Sequence, residues 1–220
     1  MHVLRGFAQD LWIADGPPVR AFGIALPTRM IVVRLRNGSL WINSPVEATR
    51  AQAMQLKEIG EVAHLVSPTP LHDWRLAPWT KFFPDAQPWK AASLGDVPPA
   101  AWEAEIDQMV FRGSIVLSEI EFYHRPSRTL LVTDYIQNFP FAPGRPLLNV
   151  ARRVAGILNG GSPRDLRLTF IGKRNRRLGA ESVRKMLVWN FEKIVIAHGD
   201  LDIDDARSFV ERSLRWLAPA

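Results

Sequence analysis

His72 and Asp73 close the run Glu61-Val-Ala-His-Leu-Val-Ser-Pro-Thr-Pro-Leu-His-Asp-Trp74. Asp134 follows Leu-Leu-Val-Thr, and His198 follows Val-Ile-Ala, far along the chain. Imidazole and carboxylate groups move protons and ligate divalent metals. All four positions come at or just beyond the end of a short apolar, β-branched run. A strand that delivers polar side chains into a loop is where α/β proteins usually keep their chemistry. The functional expectation is therefore that these four residues converge.

The elements that must position them are legible to different degrees. Residues 11–16 and 30–36 read as strands. Asn37-Gly38 follows as a two-residue hairpin turn, because both positions tolerate positive φ. Residues 39–43 return as the partner strand. Ser44 is expected to cap a helix, with Pro45 first and Glu47 third in it. Val46, Thr49, Ala53, Leu56 and Ile59 form its stripe, and Gly60 ends it. Residues 62–66 form the next strand, after which Pro68 and Pro70 hold the chain extended. A short helix over residues 74–83 and a strand over 86–91 follow. Later strands are expected at residues 106–112, 119–124, 129–133 and 193–197, the middle pair joined by Arg125-Pro-Ser-Arg128 as a hairpin. Helices are expected at 146–158, 163–171 and 181–190, with a last one capped by Asp202 or Asp204.

Composition sets the outer bounds. The 220 residues are 47% hydrophobic and 23% charged, an ordinary globular balance expected to form a single domain over residues 1–220. No apolar run approaches the about 20 residues that span a bilayer. Residues 1–10 have no long apolar stretch, so no signal peptide is expected. With no cysteine, disulfides and thiolate metal sites are excluded, and any metal needs His and carboxylate ligands. A cytoplasmic location without membrane partners is the expectation. The net charge of +6 comes mainly from dispersed arginine, with one cluster, Lys173-Arg-Asn-Arg-Arg177, read as a solvated basic loop between helices. Nucleic acid is therefore a weaker expectation as partner than a small molecule, and oligomeric state is left open. No Walker loop, Gly-x-Gly-x-x-Gly run or Gly-x-Ser-x-Gly elbow is present.

The order of these features resembles the metallo-β-lactamase fold over most of the chain, a four-layer αββα sandwich in the α/β class. That family carries His-x-His-x-Asp-His after a buried strand, then a lone His, an Asp ending a hairpin strand and a His on the last strand. Here Pro68 and Pro70 stand where the first two histidines belong. His72 stands at the family's Asp and Asp73 at its last His. No His lies near Phe111-Arg-Gly-Ser114, where the lone one belongs. Asp134 matches the strand-ending carboxylate, and His198 matches the last motif. The nearest likeness is a divergent branch, a domain of unknown function that keeps an aromatic-His-Arg-Pro-Ser-Arg-Thr-Leu run before the strand-ending Asp. Here that run is Tyr123-His-Arg-Pro-Ser-Arg-Thr-Leu130.

The resemblance implies a degenerate site that lacks the first metal position. His72, Asp73, Asp134 and His198 remain for a single zinc, or for iron or manganese. Asp73 and Asp134 are the candidate catalytic carboxylates. The implied activity is mononuclear hydrolysis of a small ester, thioester or phosphoester. The alternative is a non-catalytic descendant that binds no metal and serves as a binding or scaffolding module; nucleic-acid binding through the basic cluster ranks third. Each site residue also has a plain structural role open to it: His72-Asp73 could cap a helix, and Asp134 could cap a loop. His64 is expected to be a satisfied core or interface histidine, His124 to orient its hairpin, and His2 to be disordered.

Overall fold

The computed structural model describes residues 4–21 and 24–218, so His2 lies outside the described residues. The chain opens with β1 (Arg5–Ala8), β2 (Leu11–Ala21), β3 (Ile24–Arg34) and β4 (Ser39–Asn43). Then come α1 (Arg50–Ile59), β5 (Glu61–Val66), a 3-10 turn (Pro70–Arg75), α2 (Leu76–Thr80) and β6 (Gln87–Trp89). The second half runs β7 (Ile106–Phe111), β8 (Glu119–His124), β9 (Thr129–Val132), α3 (Pro146–Ala155), α4 (Arg164–Leu168), α5 (Gly172–Val188), β10 (Lys193–Ile196) and α6 (Ala206–Leu214).

The strands form two sheets, ordered β1-β2-β3-β4-β5-β6 and β10-β9-β8-β7. Alternation along each strand feeds two cores at once. Ile31, Val33 and Trp41 meet Ile120, Phe122, Leu131 and Val195 between the sheets. Met30, Val32, Leu40 and Ile42 face outward and are covered by Ala53 and Leu56 of α1 and Trp79 of α2. On the far side, Leu130, Val132, Ile194 and Ile196 are covered by Met186 of α5 and by Phe209, Val210 and Leu214 of α6. Helix, sheet, sheet and helix thus stack as the expected αββα sandwich.

Several local expectations are corrected. Ser44 caps no helix: it sits at φ 53, and α1 starts only after Thr49, whose hydroxyl accepts from Gln52 N–H. The intervening segment is instead held by Trp79, whose indole N–H donates to the Val46 carbonyl at 2.7 Å. α5 begins at Gly172, so Lys173 and its neighbours form exposed first turns of a helix rather than a loop. α6 is capped by Asp205, which accepts from Ser208 N–H, and not by Asp202 or Asp204. β2 runs past residue 16 to Ala21, absorbing Pro17 and Pro18 through a register shift between Gly16 and Val19. Proline offers no N–H to the ladder, so it is accommodated at such irregularities.

Candidate metal centre

Parallel pairing brings the site residues to one end of the molecule. β4 lies parallel to β5, and β9 lies parallel to β10. Val132 is in register with Ile196, so Asp134 and His198, each two residues further on, leave the second sheet side by side. From the first sheet, Ser44 follows β4, and the 3-10 turn carrying His72 follows β5.

The three chemical groups meet. His198 Nε2 lies 3.1 Å from Asp134 Oδ1, and His72 Nε2 lies 3.9 Å from the same oxygen. One donor atom from each of the three lies within 4.8 Å of the other two. Donors around a tetrahedral zinc, with bonds near 2.0–2.2 Å, stand roughly 3.3 Å apart. Small side-chain adjustments would therefore close the group on an ion. Asp134 Oδ2 is buried and has no hydrogen-bond partner among the described residues. A carboxylate with one oxygen beside two imidazole nitrogens and the other unpartnered fits a cation.

Each imidazole is aimed by its other nitrogen. His198 Nδ1 lies 2.6 Å from the Pro27 carbonyl, which can only accept, so Nδ1 carries the proton and Nε2 is left to face Asp134. His72 Nδ1 is hydrogen-bonded to Ser44 Oγ at 2.8 Å, again leaving Nε2 toward Asp134. Such outer hydrogen bonds fix tautomer and ring orientation in metal-ligating histidines. Gly199 makes the approach possible. Its φ is +114, and an added Cβ would lie 2.0 Å from the Asn138 carbonyl oxygen. Arg29 ties the two sheets together here: its guanidinium donates to the carbonyls of Ile196 at 2.7 Å and Gly199 at 3.0 Å, and it pairs with Asp15.

Asp134 is held from behind by Glu119. That buried carboxyl accepts from the amides of Thr133 (2.6 Å), Asp134 (3.0 Å) and Tyr135 (3.1 Å). Glu121 lies on the same face of β8, with both oxygens buried and unpartnered among the described residues. Burial, reinforced by neighbouring carboxylates, pushes both acids up, while the amides of Thr133, Asp134 and Tyr135 work against this at Glu119. Burial would also raise Asp134, but the His198 hydrogen bond and the charges of both histidines carry it below the usual range. Burial depresses His72, and the Asp134 carboxylate only partly offsets this. Burial opposes protonation of His198 too, yet its hydrogen bond to Asp134 and that residue's charge leave it raised.

Asp73, expected among the ligands and as a catalytic carboxylate, is not brought into this group. The 3-10 turn explains why: successive residues point about 120° apart, so a turn that aims His72 inward rotates its neighbour away. Nor do His72 and Asp73 cap a helix, since Thr69 caps the turn by accepting from Leu71 N–H at 3.0 Å. Pro70 stands at its start, Ser67 Oγ–H donates to the Thr69 carbonyl, and Ile120 N–H donates to the Pro68 carbonyl. Where the resembling family has its first two histidines, this chain has backbone anchoring. His64 packs edge-on against Trp102 and accepts from Trp89 Nε1–H at 3.4 Å, and His124 pairs with Ser127 in its own hairpin. Ser44, Pro27, Arg29 and Glu119 were not singled out in sequence for this site. Glu119 and Glu121, two acids on one face of an otherwise apolar strand, were the signal available.

A cavity of about 290 Å³ opens in front of the three donors. Val19, Leu26, Leu71 and Trp74 give it apolar walls, and Arg20 and Arg75 add positive charge.

Comparison with solved structures decides the fold family. A metallo-β-lactamase from Pontibacter korlensis superposes with a TM-score of 0.63 over 100% of both chains, at 13% identity. A second, from Erythrobacter litoralis in its mono-zinc form, gives 0.62 over 98% of this chain and 96% of that one, also at 13% identity. The chain has the metallo-β-lactamase fold. A metal-soaked flavodiiron core from Synechocystis sp. shares this fold with a TM-score of 0.64 at 8% identity. That match covers 99% of this chain, which spans 61% of the flavodiiron core. A family model described as a domain of unknown function (DUF4336) matches residues 10–94, in keeping with a divergent branch of the metallo-β-lactamase fold. No curated protein matches the chain in sequence. No described helix is long and apolar enough to cross a membrane.

Proposed function

We propose that the protein is a mononuclear metal-dependent hydrolase of a small ester, thioester or phosphoester. The observation that carries this reading is the convergence of His72, Asp134 and His198 at the base of a cavity, with both imidazoles oriented from behind. These three residues would hold the ion, zinc, iron and manganese all suiting two imidazoles and a carboxylate. Such an ion supplies Lewis acidity and an acidified water when bound. Three protein ligands leave room for a substrate or water beside them. In this reading Asp134 both holds the ion and accepts a proton from a water in the cavity. The apolar walls limit access of other water to the reacting group.

Elemental analysis of tag-free protein, wild type beside His198→Ala, tests the reading. Near-stoichiometric metal in the wild type, lost in the folded variant, supports it, as does ester or phosphoester turnover that disappears with the metal. A wild type that takes up no metal even after soaking refutes it. A second reading, a binding module without catalysis, is favoured by Pro68 and Pro70, whose segment anchors backbone where the family's first metal ligands would stand. It predicts metal-free protein and no turnover.

A further inference from the structure

Arg75 is the last residue of the 3-10 turn that carries His72, and it lines the same cavity. Only 8% of its surface is exposed. A buried guanidinium ordinarily meets a carboxylate or a set of carbonyls, because its charge and five donors are costly to leave unpaired. Arg75 has neither. Among the described residues it forms no salt bridge and donates no hydrogen bond, and the opposing charge it feels comes from Glu47 at longer range. Its guanidinium instead lies over the Trp74 ring, 4.0 Å from the centroid. That contact sets the guanidinium against the ring and uses none of its N–H donors in a hydrogen bond. Trp74 itself is 61% exposed at the cavity mouth.

The other buried arginine of this region shows the contrast. Arg29 uses its donors on Asp15 and on the carbonyls of Ile196 and Gly199. Arg29 is a structural tie, whereas Arg75 is a preset cation with unused donors, facing a cavity that also holds the three metal-capable groups. A planar fork of this kind matches a carboxylate or phosphate bidentately. The exposed Arg20 of β2, which lines the same cavity, adds positive charge that favours an anion.

We propose that Arg75, backed by Trp74, anchors a carboxylate or phosphate carried by the substrate at a point remote from the bond that reacts. The substrate class is then an anionic ester, thioester or phosphoester with an apolar body lying along Val19, Leu26 and Leu71. The proposal rests on the hydrolase reading for the word substrate, but anion binding at Arg75 is testable without it.

The test is calorimetric titration of purified full-length protein with benzoate and with phenyl phosphate, in the presence of a chelator, with neutral benzamide as the control. The expected result is saturable one-site binding of at least one anion, none of benzamide, and affinity reduced by about tenfold or more in Arg75→Gln. Binding of benzoate alone assigns a carboxylate and of phenyl phosphate alone a phosphate; binding of both assigns the shared anion chemistry. Should Arg75→Gln fail to fold, the Arg75 Nε–H resonance of the wild type, assigned through Arg75→Lys, is followed instead and is expected to shift as the anion saturates. Absence of anion binding in the wild type, affinity unchanged in Arg75→Gln, or a resonance that does not move overturns the proposal. Metal content is measured on the same preparations. A failed anion titration with metal uptake retained removes the subsite and leaves the metal reading standing.

Discussion

Lowering the pH from 7.5 to 4.5 is expected to cost the fold roughly 2–3 kcal/mol through His124 alone. Its ring is fully buried at the end of β8. Ser127 Oγ–H donates to Thr129 Oγ1, so His124 Nδ1–H must donate to Ser127 Oγ at 2.7 Å. Nε2 has no partner among the described residues, so a proton there would place an unpaired charge in the interior. Burial depresses the imidazole from 6.5 to about 4, the distant Asp10 opposing only weakly. A folded value below the unfolded one means that the unfolded chain binds the extra proton. The contribution is therefore whole above about 6.5 and is lost as pH falls toward 4. Urea unfolding followed by tryptophan fluorescence, at four pH values, measures the loss in wild type and in His124→Asn. Asparagine keeps a donor near the Nδ1 position and does not titrate. It leaves a cavity whose cost is the same at every pH and so cancels in the comparison. Wild type should lose stability relative to the variant by roughly 2–3 kcal/mol over this range. Parallel profiles for the two proteins would refute the reasoning.

Metal uptake should release protons at acidic pH, because a proton on the raised His198 Nε2 must leave before an ion can bind; affinity should fall with pH, as read by titration in weak buffer with a pH indicator. In chelator the sign for stability is the opposite of that for His124: the raised His198 contributes below its unfolded value near 6.5, and the contribution is lost as pH rises through the folded value. Arg29→Met should destabilise by about 3 kcal/mol, since it strands the Ile196 and Gly199 carbonyls. It should also weaken metal affinity by about tenfold through loss of outer-shell order, measured by competition with a chelating dye. Gly199→Ala should cost about 4 kcal/mol or prevent folding, because both its positive φ and the Asn138 carbonyl forbid a Cβ; a thermal melt within a few degrees of wild type would contradict this.

Elements defined by local chemistry were legible in the sequence. The hairpin from Glu119 to Val132 lies where periodicity and turn residues put it; the one joining β3 and β4 also lies at Gly38, but it closes through three residues, Arg36-Asn37-Gly38, with positive φ at Gly38 and not at Asn37, rather than as the expected two-residue turn. Ser44-Pro45 carried a good local helix-start signal, yet tertiary demand won: Ser44 turns to meet His72, and Trp79 holds Val46 in an irregular segment. The basic cluster reads as a loop because it lacks an apolar stripe of its own, but it continues the helix whose buried positions start at Gly179 and Ala180. Within the site, the types and order of His72, Asp134 and His198 were readable, while the exclusion of Asp73 depended on the pitch of one short turn. Arg75 gave no sequence signal. An arginine with a partner and one without look the same until the fold supplies or withholds the partner.

The three donors could hold a cation, and several features of their environment favour one. Burial presses His72 toward the neutral form that ligates. Its hydrogen bond to His198, with that imidazole's charge, keeps Asp134 ionised although it is buried. Burial pushes Glu119 and Glu121 up, which disfavours negative charge behind Asp134. Only His198 departs from this pattern, and its raised value comes from the same Asp134 oxygen that an ion would share. A proton on Nε2 and a metal ion are thus alternative occupants of one electrostatic well. A purely structural His–Asp pair would not need the second imidazole, aimed by Ser44 at that same oxygen from 3.9 Å, too far for a hydrogen bond. Under the proposed metal reading, the spacing of His72 distinguishes a group that would hold an ion from an ion pair that serves stability alone. Replacing Ser44 by Ala, which frees His72 Nδ1 while leaving the His198–Asp134 pair intact, should therefore weaken metal binding by about tenfold. It should cost only about 1 kcal/mol of stability. Metal affinity unchanged in Ser44→Ala would mean that His72 is not a ligand.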